Sequence, residues 1–174
     1  FTTIVAAVKQ GRIIFDNIRK VVVYLLSDSF SEVILITGAL ALGLPLPITA
    51  LQILYINFIA DGLPNIALSF EPGEKDVMEQ KPRSKNENII NKEMISLIFI
   101  IGVVTDLILF ALFLYLYKID ISIDHIRTII FTGLGIDSLL YIFSVKSLRR
   151  PLWRINPFSN SYLTVSVLFG FLLM

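Results

Sequence analysis

The stretch Tyr24–Phe70, YLLSDSFSEVILITGALALGLPLPITALQILYINFIADGLPNIALSF, reads as a hydrophobic hairpin that carries acids where a membrane span should have none. Asp28, Glu32 and Asp61 each lie well inside apolar runs, and a carboxylate at bilayer depth costs about 2.5–3.5 kcal/mol even on the gentler insertion scale. On a helix Asp28 and Glu32, four apart, share a face with Ser29 beside them. Asn57 and Asp61 repeat that spacing on the second span. Two oxygen-rich faces can therefore meet across the hairpin. Oxygens from carboxylates, amides and hydroxyls suit hard cations, so the first expectation is an intramembrane cation or proton site.

The second half of the hairpin contains its own helix breaker. Pro64 has no N–H for the carbonyl of Ala60 and its ring crowds that position, while Gly62 is conformationally permissive. The helix is expected to loosen next to Asp61. A carbonyl freed in lipid must find a partner, and broken spans commonly offer such carbonyls to ions. The backbone carbonyl of Ala60 therefore joins Glu32, Asn57, Asp61, Ser29 and Asp28 as a candidate ligand. Gly43, Pro45 and Pro47 end the first span and start the second across a short turn.

The whole chain has the composition this hairpin implies. Of 174 residues, 55% are hydrophobic and mean hydropathy is +0.77, too apolar for an ordinary soluble domain of this length. Apolar stretches recur at 21–42, 48–70, 94–117 and 128–145, each near the ~20 residues that cross the hydrocarbon core. A fifth, 162–174, stops short of a full crossing. The predicted fold is an all-α polytopic transmembrane bundle over 21–174. Residues 1–20 precede it as an amphipathic helix, with Ile4, Val5, Val8, Ile13, Ile14 and Ile18 at helical intervals among charges. With no proline between them, this helix is expected to run on into the first span and project from the membrane.

Asp106 and Asp137, near the middles of the third and fourth spans, are further intramembrane acids that call for a function or a partner. Tyr115, Tyr117 and Trp153 read as interface anchors. The absence of cysteine excludes thiolate metal sites and the single His125 excludes a histidine cluster. The chain begins without methionine and ends inside an apolar run, so it is expected to be a piece of a longer protein.

Charge gives the orientation. Thirteen of the fifteen Lys and Arg residues fall before the first span, between the second and third, or between the fourth and fifth. Positive residues are retained in the cytoplasm, so residues 1–20 and the loops 71–93 and 146–160 are expected there. The net charge of +1 gives no reason to expect nucleic acid as a partner.

Several stretches together resemble the C-terminal membrane region of P-type cation-transporting ATPases, specifically the calcium-pump-like branch. FTTIVAAVKQGRIIFDNIRK (1–20) looks like the segment joining that family's phosphorylation domain to its fifth membrane helix. YLLSDSFSE (24–32) resembles the fifth helix, and LQILYINFIADGLPNIALSFEP (51–72) followed by VMEQKPRS (77–84) is similar to the sixth helix and the loop after it. Residues 1–95 carry the resemblance; beyond them hydropathy and position extend it to about the ninth helix.

The resemblance implies ATP-driven transport through an aspartyl-phosphate intermediate, with ATP and Mg2+ serving the full-length pump and no cofactor bound by these residues. It implies that Glu32, Asn57 and Asp61 match cation ligands, with Ser29 standing where those pumps have an asparagine and Ala60 where they have a ligating threonine. The phosphorylation loop, the nucleotide-binding domain and the first four membrane helices would be partners of this chain, as would the bilayer and the transported cation. No catalytic residue is expected within it, and it should not hydrolyse ATP alone. The favoured setting is a prokaryotic plasma membrane.

Calcium is the favoured ion, at no more than one per pump, because Ala60 removes a side-chain ligand. A protonatable Asp61 working with Glu32 or Asp106 is the competing picture. Two further readings use the same acids differently: an ion-coupled secondary transporter or channel without ATP, and a membrane subunit whose acids only join helices.

The orientation is open to a direct check. A cysteine placed at Ser84 is expected to resist a membrane-impermeant thiol reagent added outside intact cells; labelling there would reverse the topology.

Overall fold

A single helix, α1 (Thr2–Ala41), runs unbroken for 40 residues, since no proline interrupts it. At about 1.5 Å per residue it is about 60 Å long, twice the hydrocarbon thickness. The amphipathic segment and the first span are thus one continuous rod. It ends in a left-handed residue, Gly43 at φ 65°, where Leu44 N–H donates to the Ala39 carbonyl (2.9 Å) and Gly43 N–H to the Leu40 carbonyl (3.0 Å). That pattern satisfies the orphan carbonyls of the last turn, and the positive φ suits a residue without Cβ.

The computed structural model describes residues 2–80 and 88–174, all helix and connection with no strand among the described residues. Phe1, Lys81, Arg83, Ser84 and Lys85, which the charge pattern assigns to one side, lie outside the described residues. Helix α2 (Ala50–Ile56) starts at a capping box in which Thr49 and Gln52 bond each other's backbone N–H. It passes through a π-helical turn, Asn57–Gly62, into α3 (Leu63–Leu68). Helix α4 (Lys92–Lys118) begins where the Asn91 side chain accepts from Met94 N–H at 2.8 Å. Helix α5 spans Ile123–Ser144, and α6 spans Ser161–Leu173 after a short 3-10 turn at Leu152–Arg154.

Among the described residues, four helical segments are long and apolar enough to cross a membrane: Thr2–Ala41, Ala50–Leu68, Met94–Lys118 and Ile123–Ser144. Each contains most of one apolar stretch, and two of the helices, α1 and α5, begin before theirs. Helix α5 begins five residues before the expected Thr128, because its first turn is polar. Asp124 sits at the helix N-terminus and pairs with Arg127 at 3.5 Å. Hydropathy marks only the apolar part of a helix whose backbone starts earlier.

Helices α1 and α4 lie in close contact because glycines face the crossing. A Cβ at Gly38 would come 2.7 Å from the Phe110 ring, and one at Gly102 would come 3.1 Å from the Ser27 carbonyl oxygen. The Phe30 and Phe99 rings meet between them at 5.6 Å. Small residues at such crossings let helices pack in an environment that gives little hydrophobic drive to association.

At the end of the bundle rich in basic residues, buried polar groups join four segments. Lys146 Nζ lies 3.1 Å from Glu71 Oε1, with both side chains buried. Asn160 donates to Glu71 Oε2 (3.1 Å) and to the Ala67 carbonyl (2.8 Å). From α1, Asn17 donates to the carbonyls of Ser69 (3.1 Å) and Glu71 (2.8 Å), and Lys20 donates to Asn17 Oδ1. An outer layer adds Arg12 on the carbonyls of Val77 and Gln80, both at 2.9 Å, and Arg149 between Asp16 (2.5 Å) and Glu74. Asp76, with Arg150 at 3.2 Å, has its carboxyl held below the usual aspartate range, first by its own backbone N–H and then by the arginine.

Removing one partner of a buried ion pair strands the other. Glu71→Gln is therefore expected to lower stability by about 3–5 kcal/mol, read as an earlier thermal unfolding midpoint in detergent. Combining it with Lys146→Met should recover much of the loss. An unchanged midpoint in the single variant would mean that the Lys146 ammonium reaches water.

Candidate intramembrane cation site

The site forms where the second span departs from α-helical geometry. Pro64 cannot donate to the helix, and the chain widens into the π-helical turn Asn57–Gly62 immediately before it. The loosening expected beside Asp61 is present, and the turn carries Ala60 and Asp61 at buried positions. The Ala60 carbonyl is not left open: the Tyr24 hydroxyl lies 3.3 Å from it.

Opposite this turn, α1 presents Tyr24, Asp28 and Glu32, spaced by four and so on one face. Tyr24 donates to Asp61 Oδ1 at 3.0 Å. The Asp28 side chain meets that of Asp61 within hydrogen-bond range. Glu32 Oε1 accepts from Asn57 Nδ2 at 3.0 Å. The two oxygen-rich faces that the spacing implied do meet, in antiparallel order. Asp61 is 2% exposed, and among the described residues its Oδ2 receives no hydrogen-bond donor.

The remaining candidates stand apart from this contact. Ser29 is exposed and its hydroxyl donates back to the Leu25 carbonyl of its own helix at 2.8 Å. Asp106 is fully buried on α4. Asp137 lines a groove of about 600 Å3 with Tyr141, Phe143, Leu152 and Phe158, whose lining includes none of the site residues above. No group of three His, Cys, Asp or Glu side chains converges as a ready metal cage among the described residues. The hairpin thus offers a few convergent oxygens rather than a closed coordination shell.

Two participants were not singled out from the sequence. Tyr24 shares the α1 face with Asp28 and Glu32, and extending that spacing by one turn toward the N-terminus would have found it. Ser138, on α5, donates to Asp61 Oδ1; in the sequence it reads only as a polar neighbour of Asp137. Nothing in spacing connects residues 61 and 138.

Comparison with known proteins fits this geometry. Residues 45–174 match the family model described as cation transporting ATPase, C-terminus. A calcium-transporting ATPase of Bacillus subtilis is 37% identical over 178 residues, covering 100% of this chain and 20% of the relative. A calcium-transporting ATPase of Listeria monocytogenes is 38% identical, covering 99% of this chain and 19% of the relative. One of Lactococcus lactis is 35% identical, covering 97% and 19%. The chain spans about a fifth of the length of these relatives. Its helical membrane architecture, its acid-bearing hairpin and its match over 45–174 lead to one assignment: the chain belongs to the P-type cation-transporting ATPases and carries the C-terminal membrane region of that family.

Proposed function

We propose that this chain supplies part of the ion-binding site of an ATP-driven pump, with Asp61, Asp28, Glu32, Asn57 and the Ala60 carbonyl as its oxygen ligands and calcium as the transported ion. One observation carries the reading. Asp61 is buried in the bundle, its Oδ1 lies against two hydroxyls, its Oδ2 has no hydrogen-bond partner among the described residues, and the Asp28 side chain meets its carboxylate. Two carboxyl groups meeting in low dielectric need a cation or a proton between them. The names of the relatives, calcium-transporting ATPases, favour calcium.

A calcium ion takes six to eight oxygens at about 2.3–2.6 Å. Asp61 Oδ2, the Asp28 carboxylate, the second Glu32 oxygen, the Asn57 amide oxygen and the Ala60 carbonyl provide roughly six. Waters or helices outside this chain complete the shell of one ion, and too few oxygens remain for another. ATP and Mg2+ act on the parts of the full-length pump outside these residues. The basic end of the bundle faces the cytoplasm, where residues 2–20 of α1 extend toward those parts as a stalk.

In the full-length pump, Asp61→Asn and Glu32→Gln are each expected to abolish calcium-stimulated phosphorylation from ATP. Each keeps side-chain size while removing a charged ligand. Wild-type calcium dependence in both variants would end the assignment. Equilibrium binding to the purified pump should saturate at no more than one calcium; two would mean further ligands, and none, with ATPase activity that follows pH, would make the proton the transported ion.

A further inference from the structure

We propose that Ser138 and Tyr24 are positioning residues that fix the direction of the Asp61 carboxylate, so that Oδ2 alone is presented to the transported ion. The proposal rests on the reading of Asp61 as a cation ligand and adds two residues, one of them on a third helix, that neither the family match nor the spacing of the acids assigns.

Two hydroxyls converge on Asp61 Oδ1. Ser138 Oγ donates to Oδ1. The Tyr24 hydroxyl lies 3.0 Å from Oδ1 and 2.6 Å from Ser138 Oγ. Three oxygens are in mutual contact and the two hydroxyls bring two hydrogens. If Ser138 donates to Asp61, Tyr24 donates either to Ser138 Oγ or to Oδ1 directly. In both arrangements Oδ1 receives hydroxyl hydrogen and Oδ2 receives none.

The hydroxyls are themselves held. The Tyr24 ring stacks on Tyr141 with centroids 5.8 Å apart and planes at 17°. Tyr141 donates to Ser27 Oγ at 2.9 Å, and Ser27 donates to the Val23 carbonyl at 2.9 Å. The Tyr24 hydroxyl also lies 3.3 Å from the carbonyls of Ala60 and Ser138. Tyr24, Ser138 and Asp61 are each no more than 2% exposed, so water does not compete for these contacts.

This fixing matters because Asp61 sits on the π-helical turn, where the proline leaves the backbone less tightly specified than a regular helix. A carboxylate bonded at one oxygen by groups on two other helices has one orientation, and a ligand oriented before the ion arrives loses less freedom when it binds. Removing the Ser138 hydroxyl leaves the carboxylate tethered by Tyr24 alone.

The test uses the full-length pump and calcium. Ser138→Ala is expected to raise the calcium concentration for half-maximal phosphorylation from ATP roughly tenfold, the worth of one hydrogen bond to a charged group. Maximal phosphorylation at saturating calcium should stay near wild type. Ser138→Thr, which keeps the hydroxyl, should retain most of the affinity. Ser166→Ala, which removes a hydroxyl that donates only to the Leu163 carbonyl of its own helix, should leave the half-saturating concentration unchanged. A purely structural role would lower the amount of active pump in Ser138→Ala without moving that concentration, and would overturn the proposal. If Ser138→Ala does not accumulate in membranes, Ser138→Cys, with its weak S–H donor, is expected to show the same loss, and wild-type affinity in it would overturn the proposal equally. Asp61→Asn separates the two levels: its loss of calcium response with wild-type affinity in the Ser138 variants defeats the positioning role alone, while wild-type response in Asp61→Asn defeats the ligand reading beneath it.

Discussion

A proline inside a membrane-spanning helix leaves a carbonyl without its N–H partner, and hydrocarbon supplies no water to replace it. Much of the local design of this bundle answers that constraint. Pro64 coincides with a widening of the second span to π geometry over Asn57–Gly62. The carbonyl of Ala60 is met by a tyrosine hydroxyl from another helix. The same hydroxyl lies 3.0 Å from Asp61 Oδ1, so its single hydrogen is contested between the backbone carbonyl and the acid next to it. A site and a backbone defect thus lie against one hydroxyl from another helix.

Much of this was legible in the sequence, because the constraints were local. Hydropathy located the spans, and the spacing of Asp28 with Glu32 and of Asn57 with Asp61 gave the two facing surfaces. Pro64 gave the loosening beside Asp61. The unbroken α1 followed from the absence of proline between residues 2 and 41. What stayed hidden depends on where distant helices come to rest. Ser138 reaches Asp61 across 77 positions, and no periodicity within either helix encodes that approach. The start of α5 at Ile123 was hidden for a different reason: hydropathy reports solvent preference, and its first turn is helical but polar.

The polar cluster at the basic end follows the same logic at longer range. Lys146, Glu71, Asn17, Lys20 and Asn160 come from four separate segments and are all buried, although each reads in the sequence as an ordinary residue of a loop or helix end. Charge counting assigned the loops to one side but gave no hint that some of those charges would be withdrawn from water. Burial of an ion pair is weak evidence for added stability. Its clearer effect here is to tie the start of the loop after α3 to the end of α5 and the beginning of α6.

The placement of these bonds along α1 has a mechanical consequence. Asn17 and its neighbours pin the rod part-way along its length, with 15 residues from Asn17 back to Thr2 and 11 from Asn17 on to Asp28. At about 1.5 Å per residue the two arms measure about 22 Å and about 16 Å. A stiff helix held there is divided into two unequal arms, and the shorter one ends at the acid of the candidate site.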